Sequence, residues 1–312
     1  MGGGLEPDSV SSRAQEHAAI GSAQGLVQRH TLSERVFRGE DEPGGPGVRG
    51  ILLVLRDDVE RLIRCRFVIH QLVLTSLRVR YQNSALGLLW TLLHPLMMLA
   101  VLSVVFSHVL RLGIERFPVF LLPGLVVWQF FTASITSATA SLTQRQGLIR
   151  KVSVFLLLFP ISDVAVAAVH TVVALAAMFV ILMLFGAQPS WPLLALIPAM
   201  AVLCVFVIGA ALAVTTLATF FRDVQHAIGV VLQAAYFASP VMYPPETLPE
   251  RLRWVMDINP MRWIIELFRA PIYDHAWPSA HAWVFSGIAA AAAMLLGYSV
   301  YKRHEQEFIF RL

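Results

Sequence analysis

Apolar runs of roughly 20 residues recur six times between Gly87 and Tyr301, the length a helix needs to cross the ~30 Å hydrocarbon core of a bilayer. The predicted spans cover about 86–110, 118–141, 154–186, 193–220, 225–243 and 280–301. The third is long enough to hold a short lead-in before Pro160. Ahead of the spans the pattern changes twice. Residues 1–50 are rich in Gly, Ser, Glu and Pro, a composition that predicts a disordered cytoplasmic tail. The start of the chain is polar, so no cleavable signal peptide is expected. Over 51–82, Leu52, Leu55, Val59, Leu62, Ile63, Phe67 and Leu74 recur near helical spacing among Arg56, Arg61, Arg64, Arg66, Arg78 and Arg80. Such a basic amphipathic helix can lie flat in the headgroup layer; the alternative is a soluble helix packing on a partner. The fold class predicted is an all-α membrane protein. It has six transmembrane helices over 86–301, an N-terminal amphipathic interface helix and a short extracytoplasmic helical hairpin before the last span.

Composition agrees with burial in lipid. Of the 312 residues, 57% are hydrophobic and 14% charged, against about 25% charged in a soluble domain. The net charge of +4 is carried by arginine, with Lys151 and Lys302 the two lysines. Their distribution sets topology, because cytoplasmic loops collect Lys and Arg. One side gathers the 51–82 segment, Arg145, Arg150, Lys151, Arg222, Lys302, Arg303 and Arg311. The other has Arg111, Arg116, Arg251, Arg253, Arg262 and Arg269. The heavier side is predicted cytoplasmic, with both termini and the 302–312 tail facing in. Cys65 and Cys204 sit in different settings and predict neither a disulfide nor a metal site.

Two loops carry further signals. In 244–279, too polar to span, Thr247-Leu-Pro-Glu250 fits a capping box ahead of a helix of about 248–257. Asn259-Pro260 then supplies an N-cap and a first-turn proline for a second helix of about 260–271. Its Glu266 has Arg262 four residues before and Arg269 three after, a spacing that allows pairing on one face. This hairpin is either a solvated ion-pair face or an outer gate dipping into the leaflet. The loop 143–152, Thr-Gln-Arg-Gln-Gly-Leu-Ile-Arg-Lys-Val, is short, basic and helical in propensity. Its cations either satisfy the orientation rule or dock on a cytoplasmic partner.

Candidate chemistry is sparse. The chain holds no G-x-x-x-x-G-K-[ST] loop to cradle ATP phosphates. The acidic residues near the spans, chiefly Asp163, Asp223, Asp257, Glu266 and Asp274, are scattered. That counts against a membrane glycosyl- or phosphotransferase, which clusters carboxylates around a divalent metal. Asp163 and His170 share a helix face seven residues apart; a proton relay is one reading, a capping or arginine-paired Asp163 beside a hydrogen-bonded His170 the other. His94 before Pro95 marks a kink. Arg222-Asp223 at an inner turn is a local ion pair or a lock against a partner. Trp128, Phe130, Phe131, Tyr236, Phe237 and Tyr243 form either an interfacial aromatic belt or a lining on which sugar C–H faces pack.

An ordered series of motifs resembles one family. Arg80-Tyr-Gln-Asn-Ser-Ala-Leu-Gly-Leu-Leu-Trp90 with His94-Pro95, Pro123-Gly124-Leu-Val-Val-Trp128 and Gly147-Leu-Ile-Arg-Lys-Val152 fall in sequence. Phe220-Phe-Arg-Asp223, Ser239-Pro240-Val-Met-Tyr243, Asn259-Pro260 and Phe268-Arg269 complete it. Over roughly 55–312 the chain resembles the permease subunit of type-two ABC exporters for polysaccharides and lipid-linked glycans such as O-antigen, teichoic acid or capsule. It departs from the family at Ser153-Val-Phe-Leu-Leu-Leu158, where Phe-Pro-Arg is usual. The resemblance implies a bacterial inner-membrane transport subunit that is not itself an enzyme and holds no cofactor. ATP and Mg belong to a separate ABC ATPase present in two copies. It further implies a homodimer with the path at its two-fold interface, a glycan substrate, contact with membrane lipids and no nucleic acid. On this reading Arg145, Arg150 and Lys151 couple to the ATPase. Asn259, Pro260, Arg262, Glu266 and Arg269 then form the outer gate. A type-two permease for lipids or drugs is the alternative.

Overall fold

The computed structural model describes residues 48–82, 116–151, 154–184, 190–247 and 249–312, with isolated positions between 93 and 105. The polar tail through residue 47, the motif at 83–90, His94, Pro95 and most of the first predicted span lie outside the described residues, as do 152–153 and 185–189. Two units divide the chain, Met1–Ile63 and Arg64–Leu312. In the first, helix α1 (Val48–Arg64) is strongly amphipathic and carries an Arg56–Glu60 ion pair at 3.7 Å.

The single helix expected over 51–82 is instead two, because the chain leaves helical geometry at Cys65 before α2 (Arg66–Tyr81). The amphipathic pattern fades in α2, where Phe67, Val68 and Val79 are all exposed. The second unit continues with α3 (Phe117–Ala140), a 3₁₀ turn Thr143–Arg145, one α-turn Gln146–Ile149 and α4 (Leu158–Leu184). Then come α5 (Leu196–Phe220), α6 (Val224–Phe237), α7 (Glu250–Ile258), α8 (Pro260–Arg269), a π-turn Ala270–Asp274 and α9 (Ala280–Arg311).

Among the described residues, four helices are long and apolar enough to cross a bilayer: Phe117–Ala140, Leu158–Phe179, Trp191–Phe220 and Ala280–Arg311. The fifth predicted span is shorter than expected. Helix α6 stops at Phe237, and Ser239-Pro240 turns the chain, with Val241 N–H donating to Ser239 O at 2.8 Å. The sixth is longer. Helix α9 runs through Arg311, about 48 Å at 1.5 Å per residue, so the segment expected as a tail is helix.

Helix α3 is the centre of the bundle. In its apolar window 67% of the residues are buried, against 22% for α9. Leu121, Val127, Phe130 and Ile135 are sealed from solvent. The outer helices turn apolar side chains outward, among them Ile197 on α5 and Val284, Ile288 and Leu296 on α9. Exposed apolar surface on that scale is stable against lipid and not against water.

Helices α5 and α9 meet through small residues. A Cβ on Gly209 would overlap the backbone of Ala293 and Met294, and one on Gly297 would overlap the backbone of Gly209. Ala282, Ser286 and Ala290 extend the same buried face of α9 at four-residue spacing. In lipid, helix association gains from this close backbone approach, since no water is released.

Candidate functional site

The bundle has two ends. At one, the hairpin end, α8 touches every neighbouring element. Asn259 caps it as the sequence predicts: its Oδ1 accepts from Met261 N at 2.9 Å, and Pro260 opens the helix. The other half of the same amide donates to Ala238 O and Ser239 Oγ, both at 3.0 Å, gripping the turn after α6. Arg269, at the far end of α8, is buried. Its Nη2 donates to Pro240 O and Val241 O at 3.0 Å, and its Nε to Phe120 O at 3.3 Å. The guanidinium also lies 3.8 Å from the centroid of the Phe120 ring. Gly124 makes room for it, because a Cβ there would sit 3.1 Å from Arg269 Nη2 and from Val241 O.

Burial pulls the Arg269 guanidinium down to about 10, opposed by Asp274 and more weakly by Glu246, Glu266 and Tyr273. It remains a cation at neutral pH. Partial burial pushes the Asp274 carboxyl upward, with Arg269 and His275 pulling back.

The ion-pair face expected on α8 does not form. Arg262 pairs with Asp257 and lies over the Trp263 ring at 4.5 Å. Glu266 accepts from Ser279 Oγ at 2.8 Å, and that hydroxyl also caps α9 by accepting from Ala282 N. Each of the three charged residues thus binds a different neighbour, because burial of Arg269 turns it away from Glu266. The expected capping box is also not made. Thr247 Oγ1 donates to Pro244 O at 2.7 Å, and α7 begins at Glu250. Pro249 itself is extended, with ψ 143°, and stands between Thr247 and the first turn.

The other end carries the basic loops. Arg145 makes two hydrogen bonds to Asp163, at 2.9 and 2.6 Å, donates to Ser141 O at 2.9 Å and lies over the Phe159 ring. Asp163 is therefore arginine-paired, and Arg145 ties the loop to the first turns of α4. His170 shares a 2.8 Å hydrogen bond with the Tyr81 hydroxyl, so Asp163 and His170 have separate partners. Arg150 Nη2 donates to Leu312 O at 2.6 Å, while Lys151 is exposed. Arg222 and Asp223 are exposed, and among the described residues no ion pair joins them. Gln225 Nε2 donates to Thr139 O and Thr143 Oγ1, and Thr215 Oγ1 to Ala138 O, holding α5 and α6 to the end of α3.

Between the two ends lies a cavity of about 390 Å³. Trp128, Gln129, Thr132, Thr136 and Ser137 of α3 form one wall, and Gln233 and Tyr236 of α6 the other, with Arg80 and Met98 at the rim. Trp128 and Tyr236 stand 5.5 Å apart by ring centroids, and Phe131 and Phe237 extend the cluster. Phe130 is 1% exposed and belongs to the core, while the Tyr243 hydroxyl donates to Phe237 O. The sequence reading found the rings and missed the polar rungs between them. The signal was a helical one: Gln129, Thr132, Thr136 and Gln233 are polar positions at helical spacing in mainly apolar helices. Among the described residues, the Tyr236 hydroxyl and Thr132 Oγ1 are buried without a hydrogen-bond partner.

Known proteins match most of the chain. A family profile for ABC-2 type transporters matches residues 68–273. The chain is 32% identical over 259 residues to the O-antigen export system permease protein RfbA of Myxococcus xanthus, covering 80% of this chain and 97% of that protein. A protein of the same name from Klebsiella pneumoniae is 29% identical over 195 residues, 62% of this chain and 75% of the relative. The polysialic acid transport protein KpsM of Escherichia coli is 22% identical over 251 residues, 78% of this chain and 96% of the relative.

Proposed function

This chain belongs to the ABC-2 type transporter family, and from that premise we propose that it is the membrane subunit of an ATP-driven exporter of a polysaccharide or lipid-linked glycan. The observation that carries the reading is the 32% identity to an O-antigen export permease over 97% of that relative's length. The cavity between α3 and α6 supports it. Aromatic faces at Trp128 and Tyr236 suit sugar C–H surfaces, and the interleaved amides and hydroxyls suit sugar O–H groups. Neither demands one sugar stereochemistry, as a path for a repeating polymer requires.

In this reading the protein sits in the bacterial inner membrane with both termini cytoplasmic. It has six spans, the first over 86–110 and the fifth formed by α6 with its turn, while α1 and α2 lie at the inner interface. Two copies form the path, and two copies of a separate ABC ATPase bind ATP and Mg. Closure of the ATPases presses on residues 143–151. The Arg145–Asp163 pair passes that load into α4, and Thr215 and Gln225 pass it to the α3–α5–α6 contact. At the hairpin end Asn259, Pro260, Arg262, Glu266 and Arg269 hold α8 as the outer gate.

The test is reconstitution with the partner ATPase in vesicles supplied with a lipid-linked glycan. ATP-dependent appearance of glycan on the far side is expected, and Tyr236→Ala should slow it several-fold with folding unchanged. ATP-dependent movement of a lipid or drug with no glycan movement would sink the reading.

A further inference from the structure

The last turns of α9 carry charged residues and end beside the basic loop. After Tyr301 the sequence reads Lys-Arg-His-Glu-Gln-Glu, which no hydrocarbon layer accommodates without partners. Phe310 stands nine residues beyond Tyr301, about 13 Å farther along the helix axis.

This extension is fixed in place. Tyr301 and Phe308 are fully buried with ring centroids 5.1 Å apart, and Phe308 packs on Phe220 of α5. Arg311 lies over the Phe220 ring at 5.1 Å, and Lys302 over Phe155 at 5.7 Å. Arg150, from the basic loop, closes the arrangement on Leu312 O. The final turn of α9 and residues 146–151 therefore form one continuous surface.

That surface is apolar where it faces away from the bundle. Phe310 is 90% exposed, Ile309 57% and Leu148 47%. Exposed charges of both signs share these segments: Arg303, Glu307 and Arg311 on α9 and Lys151 on the loop. Lipid does not explain Phe310, which lies beyond a run of charged residues. Exposed large side chains on a firmly held helix end, with charged residues beside them, are the pattern of a protein interface.

We propose that Ile309 and Phe310 are a second docking element for the ATPase subunit, seated beside the loop 146–151 and entering an apolar socket. The proposal rests on the reading that an ATPase presses on that loop, and it adds a direct contact to the last span. Load then reaches α9, and through the Gly209–Gly297 crossing α5, without passing through α4.

The test uses the full chain co-expressed with the ATPase, carrying a photo-crosslinking phenylalanine analogue at position 310 or, separately, at position 148. Crosslinks to the ATPase from both positions are expected. Phe310→Glu should lower co-purified ATPase at least tenfold with an unchanged thermal midpoint, since the side chain is exposed. Crosslinking from 148 but not from 310 leaves the loop contact standing and overturns the α9 element. So does capture from 310 of lipid, of residues 1–47 or of a second copy of this chain. Crosslinking from neither position overturns the coupling reading itself.

Discussion

The two ends of the bundle are held by opposite means. At the hairpin end one buried cation, Arg269, gathers carbonyl oxygens from α3 and from the turn after α6, and Asn259 adds the neighbouring carbonyl. All of this hangs on the ten-residue α8. At the basic end the work is spread over an ion pair, a glutamine, a threonine and a ring cluster drawn from four helices. A latch concentrated on one short helix can release as a unit. A network spread over the ends of long helices transmits displacement without coming apart. The contrast is the one that the proposed outer gate and the proposed ATPase-driven base call for.

The largest predicted effect removes the distinction by damaging both ends together. Gly297→Leu forces a side chain into the Gly209 backbone, where neither helix can yield. The cost exceeds the ~1–3 kcal/mol of ordinary overpacking, and the protein should lose its cooperative thermal transition in detergent. A midpoint within a few degrees of the parent would show that the two helices cross elsewhere.

Next, Arg269→Met should strike the hairpin end alone. It strips hydrogen bonds from three carbonyls in a buried site, a loss of about 3 kcal/mol. Cysteine-labelling probes should report a loosened α7–α8 hairpin, while protease sites near residues 143–151 stay protected. Equal loosening at both ends would dissolve the comparison.

The smallest effect is expected at the basic end. Asp163→Asn leaves Arg145 its bond to Ser141 O and its place over Phe159, so about 1–2 kcal/mol is lost, between the surface and buried ion-pair limits. A double-mutant cycle with Arg145→Gln measures the coupling directly. A coupling near zero would mean the backbone contacts alone hold the loop.

Much of this was legible in the residues. Apolar length gave the long helices, and Asn259-Pro260 gave the start of α8 to the residue. Asp163 as an arginine partner was also readable, since a carboxylate at a span end needs one. What was hidden depends on direction and not on spacing. Nothing in Arg262-x-x-x-Glu266-x-x-Arg269 reveals that Arg269 turns inward, because helical spacing fixes the face and not the depth of its neighbours. The space that receives it comes from Gly124, 145 positions earlier. Phe130 and Phe131 are adjacent rings, and a helix sends adjacent positions in different directions, so one entered the core and one joined the cluster beside the cavity. The extension of α9 was obscured by its charges, which read as a tail until Tyr301, Phe308 and Leu312 are seen to share a buried face.

The central claim is that the hairpin end moves during transport. Asn259→Cys with Ser239→Cys, in a Cys65→Ser, Cys204→Ala background, places two thiols where a 3.0 Å hydrogen bond now joins the side chains. The measurement is ATP-driven glycan export by vesicles containing this protein and its ATPase, before and after oxidation. Export falling to background once the staple forms, with ATP hydrolysis persisting and export restored by reductant, is the result predicted. Undiminished export from a fully stapled protein would contradict it.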